Sequence, residues 1–320
     1  MPTQIAKLYI GLMSGTSLDG VDAALVDFSE PQPTLLDTHF LPYPEPLVQA
    51  LLQLHQPRLG ELHEAQLISQ QLSRLYAQTV NELLQKTGRN AADITAIGNH
   101  GQTIRHCPES AYTVQLANNA LLAELTGIDV IGDFRTRDLA AGGQGAPLVP
   151  AFHVAVFGSQ QYNRVILNIG GIANISYLPR NGDVFGFDTG PGNLLLDSWI
   201  RQQQNQPFDC DGRWAASGTV LPELLANLLN DPYFQLPPPK STGRDLFHLD
   251  WLTQHLTTSM AATDVQATLL ALTATSIRKA VQRFCPDTEE IFVCGGGARN
   301  GALMRALKDQ LPQCHITSTE

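Results

Sequence analysis

The chain has 320 residues, more than one compact core accommodates, and so suits two domains. Its composition is that of an ordinary globular protein, 43% apolar and 16% charged, and a net charge of −10 without any Lys/Arg cluster argues against a nucleic-acid partner. No apolar run approaches the ~18–20 residues of a membrane span, and the N-terminus lacks the basic-then-apolar pattern of a signal peptide. The cysteines Cys107, Cys210, Cys285, Cys294 and Cys314 are odd in number and never spaced as Cys-x-x-Cys, which fits a reducing cytosol rather than a disulfide framework or a zinc site.

In chain order the first third reads strand, strand, strand, helix, helix, strand. Lys7–Ile10 and Ala23–Phe28 are short apolar strands flanking Gly11-Leu12-Met13-Ser14-Gly15-Thr16-Ser17-Leu18-Asp19-Gly20-Val21-Asp22. A turn of that composition leaves backbone N–H groups free to converge on an anion, and its hydroxyls add donors. It has no Lys and no following helix, so it is neither a P-loop nor a dinucleotide fingerprint. Thr34–Phe40 is a third strand. Glu61–Lys86 follows the helical period through Leu62, Ala65, Leu72, Leu75, Tyr76, Leu83 and Leu84, with Gly88 as its C-cap. Ile94–Gly98 reads as a strand delivering Asn99-His100-Gly101-Gln102-Thr103 at its end. Asn119–Leu125 is a short helix, and Val130–Gly132 a strand ending in Asp133-Phe134-Arg135. His100 taken alone is a satisfied core histidine, and Arg135 can pair with Asp133 or Asp138.

The Gly- and Pro-rich run Ala140–Pro150 marks a hinge. The second half then opens as the first does: Val165–Ile169, Gly170-Gly171, Ile172–Tyr177 is strand, glycine turn, strand, which suggests a duplication with the ligand between two halves. Next comes Gly186-Phe187-Asp188-Thr189-Gly190-Pro191-Gly192-Asn193. Asp188 at a strand end could be a helix N-cap, but the glycines imply that something approaches the backbone. Pro237–Arg244 is an extended loop without an evident chemical role. Asp264–Phe284 is a long helix, and Glu290–Cys294 a strand running into Gly295-Gly296-Gly297-Ala298-Arg299-Asn300.

Each glycine turn alone is an ordinary tight turn. Together, each at a strand end, they resemble the two phosphate elements and the adenosine element of the sugar kinase, actin and Hsp70-like ATPases. The N-terminal string, the Asp188 motif and Cys294-Gly295-Gly296-Gly297 resemble the anhydro-N-acetylmuramic acid kinases, over Gly11 to Asn300. The resemblance implies an α/β protein of two ribonuclease H-like domains, residues 1–132 and 133–320, with mixed sheets flanked by helices and the active site in the cleft between them. It implies ATP contacts at Gly15, Thr16, Ser17, Leu18, Asp19, Gly20, Val21, Asp22, Asn168, Gly170, Gly171, Gly295, Gly296, Gly297 and Asn300. Sugar contacts fall at His100, Gln102, Asp133, Arg135, Gly190 and Asn193, and Asp188 takes the role of catalytic base. Asp19 or Asp22 can hold Mg²⁺ through water, and Asp19 can instead close an Asx turn. His100 and His106 do not make the His-x-x-x-His pair of some relatives, so no protein-built metal site is expected. Family members run on past the strand near His315 into a helical segment with an acidic Glu-Ala motif. A chain ending at Glu320 is therefore expected to be truncated relative to them.

The implied reaction opens 1,6-anhydro-N-acetylmuramic acid with water and phosphorylates O6 from ATP, giving N-acetylmuramic acid 6-phosphate and ADP in peptidoglycan recycling. Two domains closing on the ligands would keep out bulk water. The implied setting is cytoplasmic, with small-molecule substrates, no membrane and no nucleic acid, and a homodimer is common among relatives. The rival readings are a conventional sugar or carboxylate kinase of the same fold and an actin- or Hsp70-like ATPase switch.

Overall fold

The structure is a computed structural model describing residues 7–319 except Pro31 and Asp245. The first six residues, on which the signal-peptide reading rests, and Glu320 lie outside the described residues. The chain divides into two compact units, Met1–Gly145 and Ala146–Glu320.

The first unit runs β1 (Leu8–Ser14), β2 (Gly20–Asp27), β3 (Thr34–Pro42), α1 (Glu45–Leu54), α2 (Glu61–Thr87), β4 (Ile94–Cys107), β5 (Tyr112–Leu116), α3 (Asn119–Thr126), β6 (Val130–Gly132) and α4 (Phe134–Ala140). Its sheet has the order β3-β2-β1-β4-β5, with β6 also on β4. β1, β2 and β3 are antiparallel neighbours, whereas β4 joins β1 in parallel. α2 is helical because Leu72, Tyr76, Val80 and Leu83 recur at its period. These residues are fully buried against the sheet with Ile10, Leu25 and Ile97. Leu62 departs from that pattern and stays solvent-exposed. Gly88, at φ 64°, closes α2 by donating its N–H to Gln85 O and Leu84 O.

The second unit runs α5 (Pro150–Phe157), β7 (Arg164–Ile169), β8 (Ile172–Leu178), β9 (Phe185–Pro191), α6 (Leu194–Gln204), α7 (Arg213–Ala216), α8 (Pro222–Leu229), α9 (Leu249–Thr253), α10 (Ala262–Phe284), β10 (Glu290–Cys294), α11 (Gly301–Gln310) and β11 (His315–Ser318). Its sheet order is β11-β10-β7-β8-β9. β7, β8 and β9 are antiparallel neighbours, and β10 and β11 add in parallel. Its core joins Val165, Leu167, Ile175 and Phe187 of the sheet to Leu269, Leu272 and Ile277 of α10 and Leu303 and Leu307 of α11. The protein is thus α/β, with two mixed sheets flanked by helices, as the resemblance implies.

Three local expectations change. β1 and β2 are longer than their apolar runs, so the turn shrinks to Gly15–Asp19, with Leu18 left-handed at φ 60°. Asn99–Thr103 is not a loop: β4 continues to Cys107 and exchanges its parallel neighbours β1 and β6 for antiparallel β5. Gly101, at φ 72°, absorbs the irregularity. Asp188 lies within β9, and the residue before α6 is Asn193.

Gly20 has no room for a side chain: an added Cβ would lie 2.4 Å from Leu41 O and 2.7 Å from the Phe40 ring. Gly11, in the same hairpin, has nothing within 4 Å. Gly20→Ala is expected to lower the unfolding free energy by roughly 1–3 kcal/mol, and Gly11→Ala to change it by less than about 0.5 kcal/mol, measured by urea denaturation.

Candidate active site

In the first unit the Gly15–Asp19 turn is fastened from below. Gln102 is fully buried and donates from Nε2 to Gly15 O at 3.0 Å and to Thr103 O at 3.3 Å. Its Oε1 accepts from Tyr43 OH at 3.4 Å. Ser14 Oγ donates to Gly101 O at 3.1 Å and lies 2.9 Å from Tyr76 OH, which is 3.3 Å from Tyr43 OH. Desolvation raises both phenols, well above the usual range for Tyr76, so they remain protonated donors. Gln102, expected at the sugar, therefore has both amide atoms engaged beneath the turn. Within the turn, Ser17 Oγ donates to Asp19 Oδ1 at 2.7 Å. Asp22 follows on β2, its carboxyl pushed up by partial burial and then by the charge of Asp19. Thr16 and Ser17 are exposed, while Leu18 and Val21 point into the core.

His100 and Arg135 are brought together. His100 Nδ1 donates to Gly101 O at 2.6 Å, leaving Nε2 to accept from Arg135 Nε at 3.0 Å and Nη2 at 2.8 Å. Arg135 Nη1 donates to Gly145 O. Burial, then the Arg135 charge, lowers the His100 pKa to about 4, against the partial opposition of its bond to Gly101 O. His100 is thus a neutral cradle for the guanidinium rather than a proton donor. Asp133 sits in the left-handed region at φ 58° before α4 and accepts from Thr136 Oγ1.

In the second unit the Gly170-Gly171 turn is fastened by the segment after β9. Asn193 Nδ2 donates to Ile169 O at 3.1 Å, Asn193 N to Gly170 O at 2.8 Å and Gly192 N to Gly171 O at 2.8 Å. Asn193, also expected at the sugar, thus tethers the turn. Asn168 Oδ1 lies 3.8 Å from Cys294 Sγ. Asn300 caps α11, accepting Leu303 N at 3.0 Å.

The glycines fall into two groups. At Gly192, Gly295, Gly297 and Gly190 an added Cβ would strike, respectively, Gly170 O at 2.4 Å, Asn168 Oδ1 at 2.5 Å, Ile169 Cγ2 at 2.4 Å and the Phe234 ring at 2.7 Å. Internal packing accounts for those glycines. Gly15, Gly170, Gly171 and Gly296 meet no other atom closer than 3.4 Å, so their bare backbone is open to an incoming group.

Asp188 is held by the loop that carried no role in the sequence. Its N–H donates to Lys240 O at 3.1 Å, and its carbonyl accepts from Tyr233 OH at 2.7 Å. Its Oδ2 accepts from Thr242 N at 3.0 Å. The run Pro237-Pro238-Pro239 before Lys240 is the visible hint of a fixed loop. Among the described residues no group of three or more His, Cys, Asp or Glu is placed to hold a metal ion, and no helix is long and apolar enough to cross a membrane.

The family profile "Anhydro-N-acetylmuramic acid kinase" matches residues 7–320. Proteins of that name from Nitrosospira multiformis and Nitrosomonas europaea are each 55% identical to this chain. The alignments cover 96% of this chain and 84% of the first relative, and 98% and 86% for the second. Among solved structures, an activator of 2-hydroxyisocaproyl-CoA dehydratase from Clostridium difficile aligns with a TM-score of 0.49 at 12% identity, over 98% of this chain and 88% of that one.

Because His100 ordinarily titrates near 6.5 and is held near 4 in the fold, the unfolded chain takes up its proton first as pH falls. The stability is fully present above 6.5 and is lost through that window on acidification. His100→Gln should therefore lose less stability than the parent between pH 7 and 5, by about 2 kcal/mol, in urea titrations at both pH values. Parallel losses in the two proteins would contradict the neutral-histidine assignment.

Proposed function

The chain belongs to the anhydro-N-acetylmuramic acid kinase family, and from that premise we propose that Asp188 is its general base and that the open glycine turns receive ATP. The enzyme is an ATP-dependent phosphotransferase with an alcohol acceptor. It opens the 1,6-anhydro bond of 1,6-anhydro-N-acetylmuramic acid and phosphorylates O6, giving N-acetylmuramic acid 6-phosphate and ADP. The observation that carries the assignment of the base is the three-point hold on Asp188 by Lys240 O, Tyr233 OH and Thr242 N.

The chemistry sets a difficult leaving group, because O6 departs from C1 as an alkoxide. In our proposal water attacks C1 and gives its proton to the Asp188 carboxylate. The C1–O6 bond breaks, and O6 bonds to the γ-phosphorus as the bond from that phosphorus to ADP breaks. Asp188 then gives its proton to solvent, so that water, sugar and ATP are converted to sugar 6-phosphate, ADP and one proton with atoms and charge balanced. The Thr242 N–H fixes the rotation of the carboxylate through Oδ2, which suits it to select one water. General-base help of this kind is worth ~10²–10⁴-fold. In the first unit exposed Thr16 and Ser17 and the bare backbone at Gly15 would suit phosphate, as in the second would the bare backbone at Gly170 and Gly171, with Gly296 suited to the adenosine. Arg135, oriented by neutral His100, suits the lactyl carboxylate of the sugar.

Mg²⁺ fits the first turn, because burial and then the charge of Asp19 push the Asp22 carboxyl up, and a divalent cation would relieve both. Asp19 or Asp22 would hold it through water, and when bound it neutralises phosphate charge. The free thiols at all five cysteines support a reducing, cytoplasmic setting.

Asp188→Asn should bind ATP as the parent does and lose at least ~10²-fold in turnover. The parent's product should weigh the substrate plus one phosphoryl group and one water. A fully active Asn variant would remove Asp188 from the reaction, and a product lacking the added water would contradict the coupled mechanism.

A further inference from the structure

The second unit carries a cleft of about 390 Å³ between the turn at Pro232–Gln235 and the C-terminal half of α10. None of the residues assigned above to ATP or sugar lines it. Lys240 forms its buried floor. Lys279 and Arg283, one helical turn apart on α10, stand exposed at its rim. Phe234 and Phe284 supply aromatic lining, and no carboxylate does.

We infer that this cleft binds a small phosphomonoester, its dianion facing Lys240, Lys279 and Arg283 and its organic body against Phe234 and Phe284. Three cations with no acid in the lining leave a net positive charge that Asp188, acting on Lys240 from outside the lining, offsets only in part, and a phosphomonoester brings about −1.5 to −2 at neutral pH. Lys240 is more than nine-tenths buried, at 8% exposure. Among the described residues its ammonium makes one hydrogen bond, to Tyr233 O at 3.2 Å, and lies 4.5 Å from the Tyr233 ring centroid. Burial, then the charge of Arg283, lowers its pKa to about 8, while Asp188 acts the other way. A buried cation facing another cation is in the electrostatic state that an anion relieves. A bare ion would underfill the volume, and the two aromatic rings favour a ligand with a body. A nucleic acid is a poor match, since the cations converge on one cleft instead of forming a stripe.

The cleft also touches the loop that holds the proposed base, because Lys240 O accepts the Asp188 N–H. An occupant would therefore restrain that loop. On the reading of the function given above, the enzyme's own product is a phosphomonoester of this class.

The test is calorimetric titration of glucose 6-phosphate, and separately of inorganic phosphate, at constant ionic strength. A non-hydrolysable ATP analogue and Mg²⁺ are kept saturating so that the nucleotide's phosphate positions are filled. Glucose 6-phosphate should bind saturably, and at least tenfold more weakly to a Lys279→Ala/Arg283→Ala protein whose thermal unfolding matches the parent. Lys308→Ala, which removes an exposed cation of α11, should leave the affinity unchanged. Equal affinity of parent and double variant, or no saturable binding, would overturn the site. Inorganic phosphate binding as tightly as glucose 6-phosphate would overturn the part played by the organic body. These readings concern binding alone, so they stand or fall separately from the Asp188→Asn assay.

Discussion

A glycine turn can offer bare backbone to a ligand only if something else fixes its shape, and here one amide side chain does so in each unit. Gln102 reaches Gly15 O, and Asn193 reaches Ile169 O while its own N–H holds Gly170 O. Glycine gives a turn freedom at the expense of order, because it has the most backbone entropy to lose. Hydrogen bonds from beneath remove that freedom without occupying the outer face, where an anion would sit. The rest of the first unit serves this fastening. Gln102 is in place because β4 runs on past an irregularity to pair it with Ser14 of β1, and it stays polar in a dry interior because Tyr43, Tyr76 and Ser14 satisfy the site around it.

Both units reach their turns by the same route. β3-β2-β1-β4 in one and β9-β8-β7-β10 in the other are an antiparallel trio followed by a strand added in parallel beside the first. A parallel addition needs a crossover, which α2 helps to supply in the first unit and α10 in the second. The long helices are therefore connectors as well as core. Their buried faces are the price of placing a hairpin turn beside the end of a parallel strand.

The hairpins are legible in the sequence because their information is local: an apolar run, a glycine turn, another apolar run. The long helices are legible for the same reason, through period and a glycine cap. The extent of β4 is hidden because Asn99-His100-Gly101-Gln102-Thr103 has the composition of a loop. Its polar groups are satisfied by partners that the sequence does not bring near, Gln102 by Gly15 at 87 residues' separation and Asn99 by Asn119 at 20. The glycines of 295–297 look alike, yet only Gly296 is open. The other two are explained by Asn168 and Ile169, on a strand more than a hundred positions earlier. Local patterns reveal where backbone is unusual, but not whether the protein or a ligand fills the space.

Asp188 meets the same limit. Its motif is conspicuous, but its orientation depends on Thr242, 54 residues on, and on Tyr233 and Lys240. Two of the three contacts use backbone atoms of the loop, so substitution of those side chains cannot delete them directly; only displacement of the loop can. That displacement is resisted by Lys240, whose ammonium is anchored on Tyr233, the residue that also binds the Asp188 carbonyl. The loop and Tyr233 therefore close around the aspartate, and the orientation of the proposed base and the rigidity of the loop become a single physical property.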